Sequence, residues 1–143
     1  MTIYAHTDGA SRGNPGESGI GIIMKDEQGR VIHSTGKYIG RATNNIAEYV
    51  ALIECLKKAK EIDCKKLIVH SDSELLVRQM QGTYRVRDEG LKKYFQRAHR
   101  VLKNAPFEFE IRHVARELNR DADMLANVSI DRESRHVRLK QKN

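Results

Sequence analysis

Four acidic side chains are placed where they could do chemistry: Asp8, Glu48, Asp72 and Asp123. Asp8 closes the β-rich run "TIYAHTD", and Asp72 follows the apolar "LIV" of "KLIVHSD". Glu48 falls among Ala47, Val50 and Ala51, and Asp123 among Ala122, Leu125 and Ala126, where apolar helix faces should be. If the runs 2–8 and 66–72 are neighbouring parallel strands, their ends bring Asp8 and Asp72 side by side. Carboxylates gathered against a core repel one another and cost several kcal/mol to desolvate unless a cation lies among them. An oxygen-only donor set suits Mg²⁺ or Mn²⁺ and does not suit Zn²⁺. By position alone, Asp121 competes with Asp123.

The elements that must hold these groups follow from the hydrophobic period. Three β-rich runs, 2–8, 18–26 and 30–39, have short connections and predict an antiparallel meander. From Thr43 to Ile62 apolar residues recur at helical spacing, with Thr43, Asn44 and Asn45 as cap candidates. A strand over 66–72 follows, then a helix from Ser73 to Gln81 stopped by Gly82. A helix from Leu91 to Leu102 ends at Asn104-Ala105-Pro106, and "FEFEIRHV" alternates as a strand does. Asn119 caps a last helix running to about Arg132. The order βββ-α-β-α-α-β-α predicts an α/β fold, one five-stranded mixed sheet flanked by helices. Residues 1–133 form one domain, and residues 134–143 read as a basic, flexible C-terminal tail.

The charge balance points to a polyanionic partner. Lys and Arg number 26 against 19 acidic residues, a net charge of +7, and the pI is about 9.5. Hydrophobic residues at 39% argue against disorder. No apolar run approaches the roughly 18–20 residues of a membrane span, and no secretory signal is visible. Cys55 and Cys64 have neither disulfide-framework nor zinc spacing, so two free thiols in the cytoplasm are expected. A basic surface to hold a phosphodiester backbone, with carboxylates to hold a metal, predicts a phosphodiester enzyme.

Taken together, four segments resemble type 1 ribonuclease H across nearly the whole chain. "TDGASRGNPG" is similar to that family's TDG-x-x-x-GNPG strand, and "TNNIAEYVALI" to its TNN-x-x-E helix start. "HSDSELL" resembles its (T/S)DS motif, and "NRDADMLAN" its N-x-x-AD-x-LA helix. The resemblance assigns one catalytic, metal-binding carboxylate to each motif, at Asp8, Glu48, Asp72 and Asp123, and selects Asp123 over Asp121. It implies endonucleolytic hydrolysis of the RNA strand of RNA/DNA hybrids with two Mg²⁺ or Mn²⁺ ions, giving 5′-phosphate and 3′-hydroxyl ends. Asp8 would bridge the ions. Asn14, Asn44 and Asn45 would contact 2′-hydroxyls, which distinguish RNA from DNA. Arg41 and Thr43 match a pocket for a DNA phosphate, and the glycines after Asp8 would let the substrate backbone come close. The expected protein is a monomer that binds an RNA/DNA hybrid and no membrane.

Two features depart from the family pattern. Glu117 stands where many members have a loop histidine that assists proton transfer and product release, and a carboxylate there could do the same work. His113 is too early and belongs to the preceding strand. The chain has no Trp and no room between "GTYRVR" and the next helix for the basic protrusion of many members. Arg85, Arg87, Lys92, Lys93 and the basic tail are candidates for that role. The alternative is a catalytically silent ribonuclease-H-like module that binds nucleic acid. A resolvase or transposase relative would instead process DNA.

Overall fold

The computed structural model describes residues 1–141. Five strands, β1 (Thr2–Gly13), β2 (Gly16–Lys25), β3 (Val31–Ala42), β4 (Lys66–Ser71) and β5 (Glu108–His113), form one mixed sheet in the order β3-β2-β1-β4-β5. Four helices complete it: α1 (Asn44–Glu61), α2 (Glu74–Met80), α3 (Glu89–Lys103) and α4 (Arg120–Gln141). A short 3₁₀ turn, Arg116–Leu118, precedes α4. The element order is the expected one.

The register decides where Asp8 and Asp72 meet. β1 pairs antiparallel with β2 from Tyr4↔Lys25 to Gly13↔Gly16, so β1 continues well past Asp8 instead of ending there. Its parallel pairing with β4 stops at Thr7↔Ser71. Asp8 and Asp72 are the next residues on each chain, one step beyond the last pair. The element end that matters is that of the parallel ladder, where β4 leaves the sheet and β1 does not. Ligand sites in open α/β sheets form at such points, beyond the carboxyl ends of parallel strands.

The two faces of the sheet are packed differently. Ile3 and Ala5 of β1, with Ile20, Ile22 and Met24 of β2, form the main core with Tyr49, Leu52 and Leu56 of α1. The opposite face of β2 carries glycines, because α4 lies almost on the backbone. A Cβ on Gly21 would meet the Ala122 carbonyl oxygen at 1.9 Å, and one on Gly19 would meet the Ala126 oxygen at 2.6 Å. This close approach fixes the start of α4 over the centre of the sheet.

One expectation is corrected. The last helix does not stop near Arg132 in favour of a flexible tail. It runs on to Gln141, and residues 134–141 are helical. The segment has no Gly or Pro to break it, and its Arg, Leu, Lys and Gln residues are good helix formers. Lys142 and Asn143, also assigned to the tail, lie outside the described residues.

Candidate active site

Asp8, Glu48 and Asp72 converge. Each offers a carboxylate oxygen, and the three atoms lie within 4.8 Å of one another. Asp8 and Asp72 come from the end of the parallel ladder, and Glu48 from the second turn of α1. What delivers Glu48 is Gly9. A Cβ there would lie 2.3 Å from the Ala47 carbonyl carbon and 2.5 Å from the Glu48 nitrogen. With no side chain between them, the Gly9 N–H donates to Glu48 Oε1 at 2.7 Å. The expectation that the glycines after Asp8 admit a substrate backbone is therefore corrected for Gly9: α1 occupies that space. Gly13, at φ +124°, serves the hairpin turn.

Asp123 stands one turn into α4, half-buried, and its carboxylate helps to push the Asp8 pKa up. Asn127 Nδ2 donates to Asp123 Oδ1 at 3.1 Å. Asp123 lies outside the tight trio, and its charge adds to the upward push on both Asp8 and Glu48. Asp121 is exposed, on the side of α4 that adjoins His6.

Asn119 does more than begin a helix. It is 1% exposed, and its Nδ2 donates to the Thr7 carbonyl at 2.9 Å and to Asp72 Oδ2 at 3.3 Å. One amide thus ties the beginning of α4 to β1 and steadies the Asp72 carboxylate. Its place before a helix predicts a cap, but Asn119 Oδ1 accepts no hydrogen bond. The bond its amide makes to a residue 47 positions away carries no sequence signal.

The electrostatics of the cluster are strongly unfavourable. The Asp8 carboxyl is pushed far above the carboxylate range by burial, then by Glu48, Asp72 and Asp123. Glu48 is also pushed up, by burial and then by Asp72, despite the Gly9 N–H that favours its charge. Among the described residues no Lys, Arg or His forms an ion pair with any of the four carboxylates. An all-oxygen set so poor in compensating charge fits a hard divalent cation.

The remaining candidates lie on the hairpin, the start of α1 and the 3₁₀ turn. Thr43 is the N-cap of α1, its Oγ1 accepting from the Ile46 N–H at 3.2 Å, so Thr43 rather than Asn44 does the capping. Asn14 Oδ1 accepts from the Asn44 N–H, and Asn44 Oδ1 accepts from the Ser11 N–H, both at 3.1 Å. These two bonds lock the β1–β2 hairpin onto the start of α1. Arg41 and Asn45 are exposed beside them. Glu117 is exposed in the 3₁₀ turn, two residues before Asn119, in a recess of about 260 Å³ that also contains His6, Lys25 and Asp121. It is not in the carboxylate cluster. His113 ends β5 and is exposed, as expected.

Comparison with known proteins gives a consistent picture. A family model described as "Reverse transcriptase-like" matches residues 6–129. Ribonuclease HI of Halobacterium salinarum is 38% identical over 129 residues, which cover 90% of this chain. The chain spans 64% of the length of that relative. Among solved structures, LC11-RNase H1 in complex with an RNA/DNA hybrid superposes with a TM-score of 0.86 at 40% identity, covering 92% of this chain and 98% of the other. RNase H1 from Halobacterium salinarum gives 0.87 at 37% identity, with coverage of 92% and 98%.

Proposed function

The chain belongs to the type 1 ribonuclease H family, and from that premise we propose that it hydrolyses the RNA strand of RNA/DNA hybrids endonucleolytically, leaving 5′-phosphate and 3′-hydroxyl ends. The observation that carries this reading is the convergence of Asp8, Glu48 and Asp72 oxygens within 4.8 Å, to which Asp123 adds its negative charge. In this reading Asp8, Glu48, Asp72 and Asp123 hold two divalent cations, Mg²⁺ or Mn²⁺. When bound, such ions activate water at neutral pH and stabilise the departing 3′-oxygen.

The residues of the chain do the positioning. Asp8 would be a ligand held in common by the cluster, since Glu48, Asp72 and Asp123 all act on its carboxyl. The Gly9 N–H fixes Glu48, and Asn119 Nδ2 fixes Asp72, so both carboxylates are oriented before any ligand arrives. Glu117, exposed in the 3₁₀ turn, is the group we assign to product release in place of the family's histidine. Asn14, Asn44 and Asn45 are assigned to the RNA strand, and Arg41 and Thr43 to a phosphate of the DNA strand. The Asn14–Asn44 and Ser11–Asn44 bonds support this, since they hold the hairpin and the helix start in one rigid surface.

A monomer acting in the cytoplasm is the setting this reading implies. Cys55 and Cys64 are free and buried, compatible with a reducing compartment. Among the described residues no helix is long and apolar enough to cross a membrane. The test is a labelled RNA/DNA hybrid, an RNA duplex and a DNA duplex, each with Mg²⁺, Mn²⁺ or EDTA. Cleavage confined to the RNA of the hybrid and abolished by EDTA is expected. Binding without cleavage would make the chain a silent module, and cleavage of the DNA duplex would place it with the DNA-processing relatives.

A further inference from the structure

Beyond Ile130 no residue of α4 is buried, so Asp131–Gln141 leave the sheet as about three turns of exposed helix. A helix with no buried face contributes little to folding, and its exposed surface is available to a partner. The charges on it are lopsided. Arg132, Arg135, Arg138 and Lys140 face only two acids, Asp131 and Glu133. Asp131 is already engaged, since Arg12 Nη1 bonds its Oδ1 at 2.5 Å. Among the described residues none of the four cations forms an ion pair.

Two of these cations share one groove. Arg135 and Arg138, one turn apart, line about 670 Å³ with Tyr38, Glu17, Glu133 and the mutually neutralised Arg12–Asp131 pair. The cation excess lies on the outer part of the helix, where Lys140 follows Arg138 with no acid after Glu133. Glu17 in the same groove bonds the Tyr38 hydroxyl, so its charge is partly occupied. Arg12 lies on the hairpin two residues before Asn14, which is bonded to the start of α1. The groove and the asparagine surface beside the carboxylates therefore share one rigid hairpin. Val137 and Leu139, the exposed apolar residues of the extension, are separated by Arg138 and make no continuous apolar stripe for a second helix.

We propose that Arg135, Arg138 and Lys140, the unpaired cations at the end of this helix, bind phosphates of the backbone of the duplex whose RNA strand enters the carboxylate site. This rests on the hybrid-nuclease reading above and adds a second, sequence-independent contact outside the catalytic cleft. Such contacts set affinity through counterion release and leave the chemistry alone. Placed at the end of α4, these cations are distinct from Arg85, Arg87, Lys92 and Lys93.

The test is the Arg135→Gln/Arg138→Gln double variant, alongside a chain ending at Ser134, which keeps the Arg12–Asp131 pair. KM and kcat are measured on one hybrid against salt, with binding in EDTA as a readout that needs no catalysis. Both variants should raise KM severalfold at low salt with kcat within about twofold. The slope of log affinity against log salt should flatten by roughly 0.7–0.9 for each phosphate that the protein no longer neutralises. Salt dependences parallel to wild type, in KM and in EDTA binding, would overturn this contact while leaving the nuclease reading intact. Failure of the wild-type chain to cleave any hybrid would instead remove the nuclease reading, and the EDTA slopes would still decide the contact. A wild-type dimer that the double variant converts to monomer would also overturn it, because these cations would then hold a second copy.

Discussion

Replacing Asp8 with Asn should stabilise the metal-free protein. An Asp in the unfolded chain loses its proton near pH 3.9. In the folded chain burial, Glu48, Asp72 and Asp123 hold the Asp8 proton to a much higher pH. Above about pH 4 the native state therefore binds a proton that the unfolded state has released, and stability falls as pH rises. Each pH unit crossed in this way costs about 1.4 kcal/mol, so pH 7 sets a ceiling of roughly 4 kcal/mol. Sharing of the same repulsion with Glu48 brings the expectation for one substitution to about 2–4 kcal/mol, on the order of 10 °C in Tm for a chain of this size. An Asn side chain carries no such penalty and can donate to its carboxylate neighbours. The assay is thermal unfolding of wild type and Asp8→Asn in EDTA from pH 4 to 8, repeated with saturating Mg²⁺. The variant should melt higher at pH 7, the gap should close toward pH 4, and Mg²⁺ should raise the wild type far more than the variant. A variant less stable than wild type at pH 7 in EDTA, by an amount independent of pH, would refute the electrostatic account of the site.

Three other substitutions probe its surroundings. Glu117→Ala should lower kcat severalfold with little change in KM, and by less than any change in the carboxylate cluster; an unaltered kcat would return Glu117 to the role of a solvated loop residue. Asn119→Ala removes the donor to the Thr7 carbonyl and to Asp72, so chemical denaturation should show a loss of about 1–3 kcal/mol, with kcat falling while KM holds. Gly9→Ala drives a Cβ into the α1 backbone at 2.3 Å. It should cost more than about 3 kcal/mol in the same experiment, or displace Glu48 and abolish cleavage in a protein that still folds.

The carboxylates are legible in the sequence because their signals are local. Asp8 and Asp72 each follow a run of β-formers, and Glu48 and Asp123 interrupt apolar helix faces. Four motifs in order then group the acids by resemblance, taking Asp123 over Asp121, and three of the four converge in the structure. What stays hidden depends on distances between segments. The continuation of β1 beyond Asp8 is set by its antiparallel partner β2, and no residue near Asp8 announces it. The Gly19 and Gly21 pair on alternate positions of β2 does carry a signal, since glycines inside a strand often mark a close backbone approach. Asn119 offers only its helix-start position, which suggests a cap, whereas its amide reaches across to Thr7 and Asp72. The α4 extension reads as a tail because its charge density resembles that of a disordered segment, although its residues favour a helix.

The central claim is that these carboxylates, working together, cleave the RNA strand of a hybrid. Its most direct test is the rate of hybrid cleavage by Asp72→Asn relative to wild type at saturating substrate and Mg²⁺, with circular dichroism confirming the same fold. The substitution keeps the shape of the side chain and an oxygen able to accept from Asn119, and removes only the charge. The account predicts cleavage reduced to well under a tenth of wild type. Retention of more than about a tenth, a loss below ~1.4 kcal/mol of transition-state stabilisation, would contradict it.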